Sequence, residues 1–269
     1  MISLESALKI DYRKVEDHLG EFLRRELEAS GRKGYVVGLS GGVDSAASFA
    51  LAARSIGKER VLPLIMPDST VTPKGDVEDA KALATQFGTS YHVIDIAPII
   101  DVYRGALPIY ESEEADRTAL GNLRARVRMN ILYYYANKRD YLVLGTGDRS
   151  EILIGYFTKY GDAAVDVSPL AILYKTQVRR FALHLGVPEA IALKPSSPRL
   201  WEDHEAEREL GLRYEEIDLV LYSHFDLGVP WEEIPAKTGV REELVERVRK
   251  LHMASAHKRL GARFPEPLR

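Results

Sequence analysis

Residues 34–45, Gly34-Tyr35-Val36-Val37-Gly38-Leu39-Ser40-Gly41-Gly42-Val43-Asp44-Ser45, pass from a short β-branched apolar run through a Ser-Gly-Gly turn into the start of a helical pattern. That order reads as strand, tight turn, helix. Gly41 and Gly42 carry no Cβ, so the backbone can turn sharply and bring its N–H groups close to an anion, which the positive end of the following helix also favours. A phosphate suits such a turn. Ser40 and Ser45 add hydroxyl donors, and Asp44 sets a carboxylate in the first helical turn, where it would repel a phosphate unless a divalent cation lay between them. A plain strand-to-helix turn would account for the glycines but not for these polar neighbours. The spacing matches neither the P-loop nor the dinucleotide-binding glycine pattern.

The segments on either side extend the same pattern. Tyr12, Val15, Leu19, Phe22, Leu23 and Leu27 recur at helical spacing and predict an amphipathic helix over about 11–29. After the turn the helix continues through Ala46 to Ile56, whose alanines suit close packing, and Gly57 ends it. Val61 to Met66, Tyr91 to Ile94, Tyr141 to Leu144 and Val165 to Leu170 read as further strands, with a helix from Asp76 to Phe87 between the first two. Pro63 is awkward inside a strand and tolerable near its start. Almost wholly apolar strands alternating with helices imply an α/β fold. The expected form is a single domain over residues 1–269, an open parallel sheet of about five strands with helices on both faces, Rossmann-like.

A long helix over about 116–137 carries the stripe Leu120, Leu123, Val127, Ile131 and Tyr134, with Arg124 and Arg128 expected to face solvent. Tyr133, Tyr134 and Tyr135 widen its apolar face, either for a subunit contact or for packing within the chain. Residues 195–211, opening Pro195-Ser196-Ser197-Pro198 and rich in acids, are expected to form a mobile surface loop.

Composition removes several function classes. A net charge of −3 offers no broad basic face for nucleic acid. The absence of cysteine removes disulfides, thiolate metal sites and any cysteine nucleophile or persulfide carrier. No apolar run approaches the roughly 20 residues of a membrane span, and the N-terminus shows no apolar signal core, so a cytoplasmic location without membrane partners is expected.

In an open parallel sheet ligands bind beyond the carboxyl ends of the strands. That rule gathers Ser40 to Ser45, Met66 to Asp68, Gly145 to Glu151 and the loop after Val167 on one rim. Glu151 is the first candidate to share a magnesium ion with Asp44, and Asp148 competes with it. Lys175 and Lys159 are candidate cations for a phosphate or a leaving group. Arg126 lies three residues from Leu123, at the edge of the long helix's stripe, where a guanidinium can hold a phosphate or carboxylate.

The Ser40–Ser45 turn resembles the SGGxDS loop of the N-type ATP pyrophosphatases, which split ATP into AMP and pyrophosphate while activating a substrate oxygen. Gly145-Thr146 through Glu151, then Gly155-Tyr156-Phe157-Thr158-Lys159-Tyr160-Gly161-Asp162, resembles the signature of the ammonia-dependent NAD synthetases. Asn122 to Met129, Pro169-Leu170 with Tyr174 to Val178, and His257-Lys258-Arg259 are similar to further motifs of that family in the same order. The resemblance implies an ATP site on Gly38, Leu39, Ser40, Gly41, Gly42, Val43, Asp44, Ser45, Thr146, Lys175 and Ser197. It implies a deamido-NAD site on Arg126, Lys159, Asp166, His257 and Lys258, and magnesium on Asp44 and Glu151. It also implies a homodimer, and amidation through an acyl-adenylate without a protein nucleophile. Lys175 would offset charge on the departing pyrophosphate, and Asp166 would orient the nicotinyl end or accept a proton from ammonia.

Residues 198–208 depart from the family pattern, keeping Leu200 and Trp201 but lacking its Gln-Thr-Asp. A chain without cysteine and of this length has no glutaminase, so free ammonia or a separate ammonia-supplying protein is expected. The same absence argues against tRNA-thiolating relatives, and the FTKYGD and HKR matches argue against GMP synthase. A helix-turn-helix rhythm over about 231–251 would suggest DNA binding, but Glu242, Glu243 and Glu246 front its second helix and favour packing.

Overall fold

In a computed structural model, which describes residues 1–201 and 203–265, the first half of the chain alternates strand and helix. It runs α1 (Leu4–Leu8), α2 (Tyr12–Ser30), β1 (Tyr35–Gly38), α3 (Val43–Ile56), β2 (Val61–Ile65), α4 (Lys74–Gln86), β3 (His92–Val93), α5 (Ala97–Ala106), α6 (Arg117–Arg139) and β4 (Leu142–Leu144). The second half is helical: α7 (Arg149–Ile154), α8 (Lys175–His184), α9 (Glu189–Ala192), α10 (Ala206–Leu210), α11 (Tyr214–Phe225), α12 (Ile234–Thr238), α13 (Glu242–Ala254) and α14 (Ala256–Arg259). Glu202 of the divergent segment and positions 266–269 lie outside the described residues.

All strands are parallel, in the order β3-β2-β1-β4. Strand order reverses beside β1, so the switch point lies between β1 and β4, the place where such sheets leave a crevice. Residues alternate between the faces of the sheet, as the pleat requires. Tyr35, Val37, Ile65 and Leu144 pack under α2, α3 and α8, while Val36, Leu62, Leu64 and Val143 pack under α5 and α6. Ala46, Ala47, Ala50 and Ala53 are buried and let α3 lie close on the sheet. A third apolar cluster, including Tyr214, Ile217, Val220, Val245 and Val248, joins the C-terminal helices to α7. The helix-turn-helix rhythm is therefore a pair of packed helices, with Glu242 and Glu243 exposed.

Pro63 sits inside an interior strand, opposite Val37. Its neighbour Leu64 turns its carbonyl to β1, accepting the Leu39 N–H at 2.9 Å, so position 63 faces the β3 side. Pairing with β3 begins only at Leu64 opposite His92, and the missing N–H costs no ladder bond. The expected fifth strand shrinks to one parallel bridge between Leu144 and Val167, leaving four strands among the described residues. Asp166 ends the pairing: its carboxylate takes the Val143 N–H at 2.7 Å, and Pro169 then starts a 3-10 turn.

Arg124 and Arg128 do not face solvent, which corrects the sequence expectation. Arg124 is fully buried, and Arg128 donates to the Met66 carbonyl at 2.9 Å. Position 124 lies four residues after Leu120 and three before Val127, within the buried stripe itself, and carboxylates waiting there made a charged residue admissible. Arg126 is instead exposed. Tyr133 and Tyr135 pack partly buried beneath α6, while Tyr134 is 62% exposed. Among the described residues no helix is long and apolar enough to cross a membrane.

Candidate active site

Beyond the carboxyl ends of β1, β2 and β4 lies a cleft of about 410 Å³, lined by Gly38 to Ser45, Leu64 to Pro67, Leu144 to Gly147 and the segment from Lys194 to Trp201. Within the turn, Gly41 has φ +80°, and a Cβ there would fall 2.3 Å from the Asp76 carbonyl oxygen, so only glycine fits. Ser45 Oγ donates to the Gly42 carbonyl at 3.0 Å and accepts the Ser40 N–H at 3.1 Å. The serines thus brace the turn. Helix α3 has Gly42 as N-cap and no side-chain cap, so its first N–H groups face the cleft without intrahelical partners.

Next to the turn, one ammonium holds three carboxylates. Lys175 Nζ lies 2.6 Å from Asp44, 2.8 Å from Asp148 and 2.8 Å from Glu151, with its side chain fully buried. Asp148 caps α7, taking the Glu151 N–H at 2.8 Å, which fixes both acids. Burial alone would depress the ammonium, but Asp148, Asp44 and Glu151 outweigh it and hold Lys175 well above its ordinary value. Burial raises both acids, Asp148 to about 6, although Lys175 opposes the shift.

With all three ionised, three carboxylates against one ammonium would leave an excess of two negative charges. Asp44 Oδ1 is buried without a partner among the described residues, and one oxygen each of Asp44, Asp148 and Glu151 lie within 4.8 Å of one another. Hard oxygen donors, this charge and an unused lone pair fit a divalent cation. Glu151 and its competitor Asp148 are both brought to Asp44. Lys175 stands behind the carboxylates and does not line the cleft.

The other expected site residues fall in three places. Thr146, Ser197 and Lys258 line the cleft, and Lys258 Nζ donates to the carbonyls of Gly155 and Phe157 at 2.8 Å each. Exposed Arg126 and His257 are joined beside it through half-buried Lys159: Arg126 reaches the Lys159 carbonyl at 3.2 Å, and Lys159 Nζ the His257 carbonyl at 3.0 Å. Asp166 lies apart from the cleft. Besides the Val143 N–H it accepts the Tyr133 hydroxyl at 3.2 Å, so both its oxygens are engaged. Tyr133 is two helical turns beyond Arg126 on the same face of α6, so Asp166 lies about 10 Å further along that helix.

Several residues were not legible as site residues. Lys194 reaches the Gly41 carbonyl at 3.3 Å and Asp76 at 2.9 Å, and Arg199 pairs with Asp76 at 2.7 Å, so the divergent segment is tied down over the turn. Arg124 adds a bond to the Leu200 carbonyl at 2.8 Å. The segment expected to be a mobile loop is thus pinned at several points in this structure.

Asp218, 1% exposed, accepts Ser150 Oγ at 2.5 Å, the Thr176 N–H at 2.8 Å and Thr176 Oγ1 at 2.6 Å, while Ser150 Oγ accepts the Lys175 N–H at 2.9 Å. It joins α7, α8 and α11 behind the charged cluster. A lone acid in the apolar run Ile217 to Leu221 was the available signal. Burial pushes Asp218 up to about 7 against those hydrogen bonds. A carboxyl raised in the folded state stabilises fully below its unfolded value of about 4, and that contribution is lost as pH rises to about 7. Asp218→Asn, which mimics the protonated acid, should therefore gain about 2–3 kcal/mol relative to the parent between about pH 5 and about pH 8. Urea titrations at the two pH values check this; a difference independent of pH contradicts it.

Comparison with known proteins agrees with this geometry. The NAD synthase family model matches residues 15–262. The NH(3)-dependent NAD(+) synthetase of Aeropyrum pernix is 62% identical, over 98% of this chain and 93% of its own length. Among solved structures, an NMN synthetase from Francisella tularensis superposes with a TM-score of 0.83 at 32% identity, covering 96% of this chain and 99% of that one. The NH3-dependent NAD synthetase of Campylobacter jejuni superposes with a TM-score of 0.78 at 29% identity, covering 97% and 100%. Ser-Gly-Gly turn, carboxylate cluster and near-complete relatives converge: this chain belongs to the NAD synthase family.

Proposed function

We propose that this chain is an ammonia-dependent NAD synthetase, converting deamido-NAD, ATP and ammonia into NAD, AMP and pyrophosphate. The observation that carries the reading is the open N-terminus of α3 set beside the Asp44–Asp148–Glu151 cluster, of which Asp44 and Glu151 line the same cleft. The nicotinate carboxylate attacks the α-phosphorus, and the acyl-adenylate so formed is taken by ammonia. Gly38 to Ser45, Thr146 and Ser197 line the pocket for ATP, and Lys194 lies beside its turn. Mg2+ held by Asp44, Glu151 and Asp148 would neutralise charge on the departing pyrophosphate. Lys175 holds those carboxylates converged and opposes the rise of Asp148 and Glu151, a positioning role.

Arg126, Lys159, His257 and Lys258, with Asp166 further along the same face of α6, take deamido-NAD at an edge that a second subunit completes. Val102, Tyr103, Leu107, Ile109 and Tyr134 are exposed on or next to α5 and α6 and supply apolar area for a homodimer. Residues 1–269 act as one catalytic unit in the cytoplasm, with ammonia free or delivered by a separate protein.

The test supplies ATP, magnesium and deamido-NAD with either ammonium or glutamine. Ammonium should give NAD, AMP and pyrophosphate in equal amounts and glutamine none; ATP cleavage without NAD would overturn the reading. The likeness to an NMN synthetase favours a second acceptor, the corresponding mononucleotide, and its amidation in preference to deamido-NAD would move the assignment there. Gly41→Ala should raise the KM for ATP about ten- to hundredfold, because the strained turn no longer presents its N–H groups. Initial rates against ATP check it, and an unchanged KM contradicts it.

A further inference from the structure

Amidation releases a proton that some group must take. Asp166, the acid expected for that task, has both oxygens engaged away from the cleft. Of the carboxylates lining the cleft, Asp44 and Glu151 bind Lys175, Asp76 binds Lys194 and Arg199, and Asp162 accepts the Thr158 N–H. What remains is a histidine paired with a glutamate.

His204 is the imidazole on the cleft wall among the described residues, and it is 2% exposed. Its ring stacks on Trp201 with centroids 3.5 Å apart and planes at 13°, which fixes the ring plane. Glu209 Oε2 lies 2.8 Å from Nε2 and also accepts the Tyr156 hydroxyl at 2.6 Å. A carboxylate only accepts, so Nε2 carries the proton and Nδ1 keeps a free lone pair. Nδ1 is buried with no partner among the described residues. Burial lowers the imidazole's affinity for a proton, opposed by Glu209 and aided by Arg199 and Arg117, so the ring is neutral near pH 7. Carboxylate, imidazole and unpartnered nitrogen make an oriented base.

Building on the proposed function, we propose that His204, oriented by Glu209, Tyr156 and Trp201, is the general base of the amidation half-reaction. As ammonia attacks the acyl-adenylate, the N–C bond forms at the nicotinyl carbonyl and the C–O bond to AMP breaks, AMP leaving with the electron pair. One ammonia proton passes to His204 Nδ1 and leaves to solvent with the products. The segment that departs from the family pattern thus supplies a catalytic side chain of its own.

The two half-reactions separate the possibilities. Deamido-NAD-dependent exchange of labelled pyrophosphate into ATP, run without ammonia, reads adenylation alone, and NAD formation reads both steps. His204→Phe, which keeps the stack on Trp201, and His204→Ala should each retain exchange within about threefold of wild type and lose NAD formation by about 10²–10⁴-fold. Added imidazole should restore part of the loss in His204→Ala only. Loss of both activities together, or full NAD formation in either variant, overturns the proposal. No exchange in the wild-type chain would overturn the parent reading, and this one with it.

Discussion

Lys175→Met is expected to destabilise the metal-free protein by about 3–5 kcal/mol and to lower kcat by about 10²–10³-fold. The methionine matches the stem of the side chain but leaves Asp44, Asp148 and Glu151 without the ammonium that each touches at 2.6–2.8 Å. Three carboxylates confined within 4.8 Å then repel one another in a site where Asp148 has no exposure to relieve the charge. Removing one partner of a buried charge group costs more than the group contributes as a whole, because the remaining charges stay desolvated. A divalent cation should recover part of the lost stability, since the variant cluster carries one more unit of negative charge. Thermal melts with and without magnesium read both effects. Unchanged stability in chelator would show that the carboxylates do not depend on Lys175.

The second large effect is expected at Arg124. Its guanidinium, fully buried, donates to Asp68 at 2.6 Å, Glu113 at 2.7 Å and the Leu200 carbonyl at 2.8 Å. Arg124→Met strands Asp68, itself wholly buried, and should cost about 3–5 kcal/mol. Burial alone would raise Asp68, but Thr70 and Arg124 hold it below its usual range. Such a depressed carboxyl stabilises above its unfolded value of about 4, and the contribution disappears as pH falls below that. The penalty of the variant should therefore shrink in acid. Adding Asp68→Leu should return much of the stability, as replacing a whole buried pair often does. The lost bond to Leu200 should also speed proteolysis within residues 196–205. Denaturant titration and digestion read these outcomes, and a loss under about 1 kcal/mol would contradict the first.

Arg124 also shows where sequence reading stops. Alternating apolar strands and helices, the Ser-Gly-Gly turn and the strand-end rule located the cleft because each rests on local periodicity or on a topological regularity. A helix stripe read from apolar residues alone cannot tell that an arginine shares it, because its carboxylates come from residues 68 and 113. For the same reason Lys175 read as a cation facing phosphate, when three acids from two other segments close around it. Val165 to Leu170 carried the apolar character of a strand, yet a side-chain carboxylate at Asp166 took the N–H that a longer ladder would have used. The His204–Glu209–Tyr156 group was hidden differently. Only His204 lies in the stretch that departs from the family pattern; Glu209 follows it and Tyr156 belongs to the Gly155–Asp162 motif, so only the fold brings the three together.

The acyl-adenylate itself is tested most directly by the fate of the carboxylate oxygens. Deamido-NAD carrying ¹⁸O in the nicotinate carboxylate, turned over with ATP, magnesium and ammonium, should deliver one labelled oxygen to the phosphate of AMP and leave the other in the amide of NAD. Label in pyrophosphate, or AMP free of label beside fully formed NAD, would contradict attack of the carboxylate on the α-phosphorus.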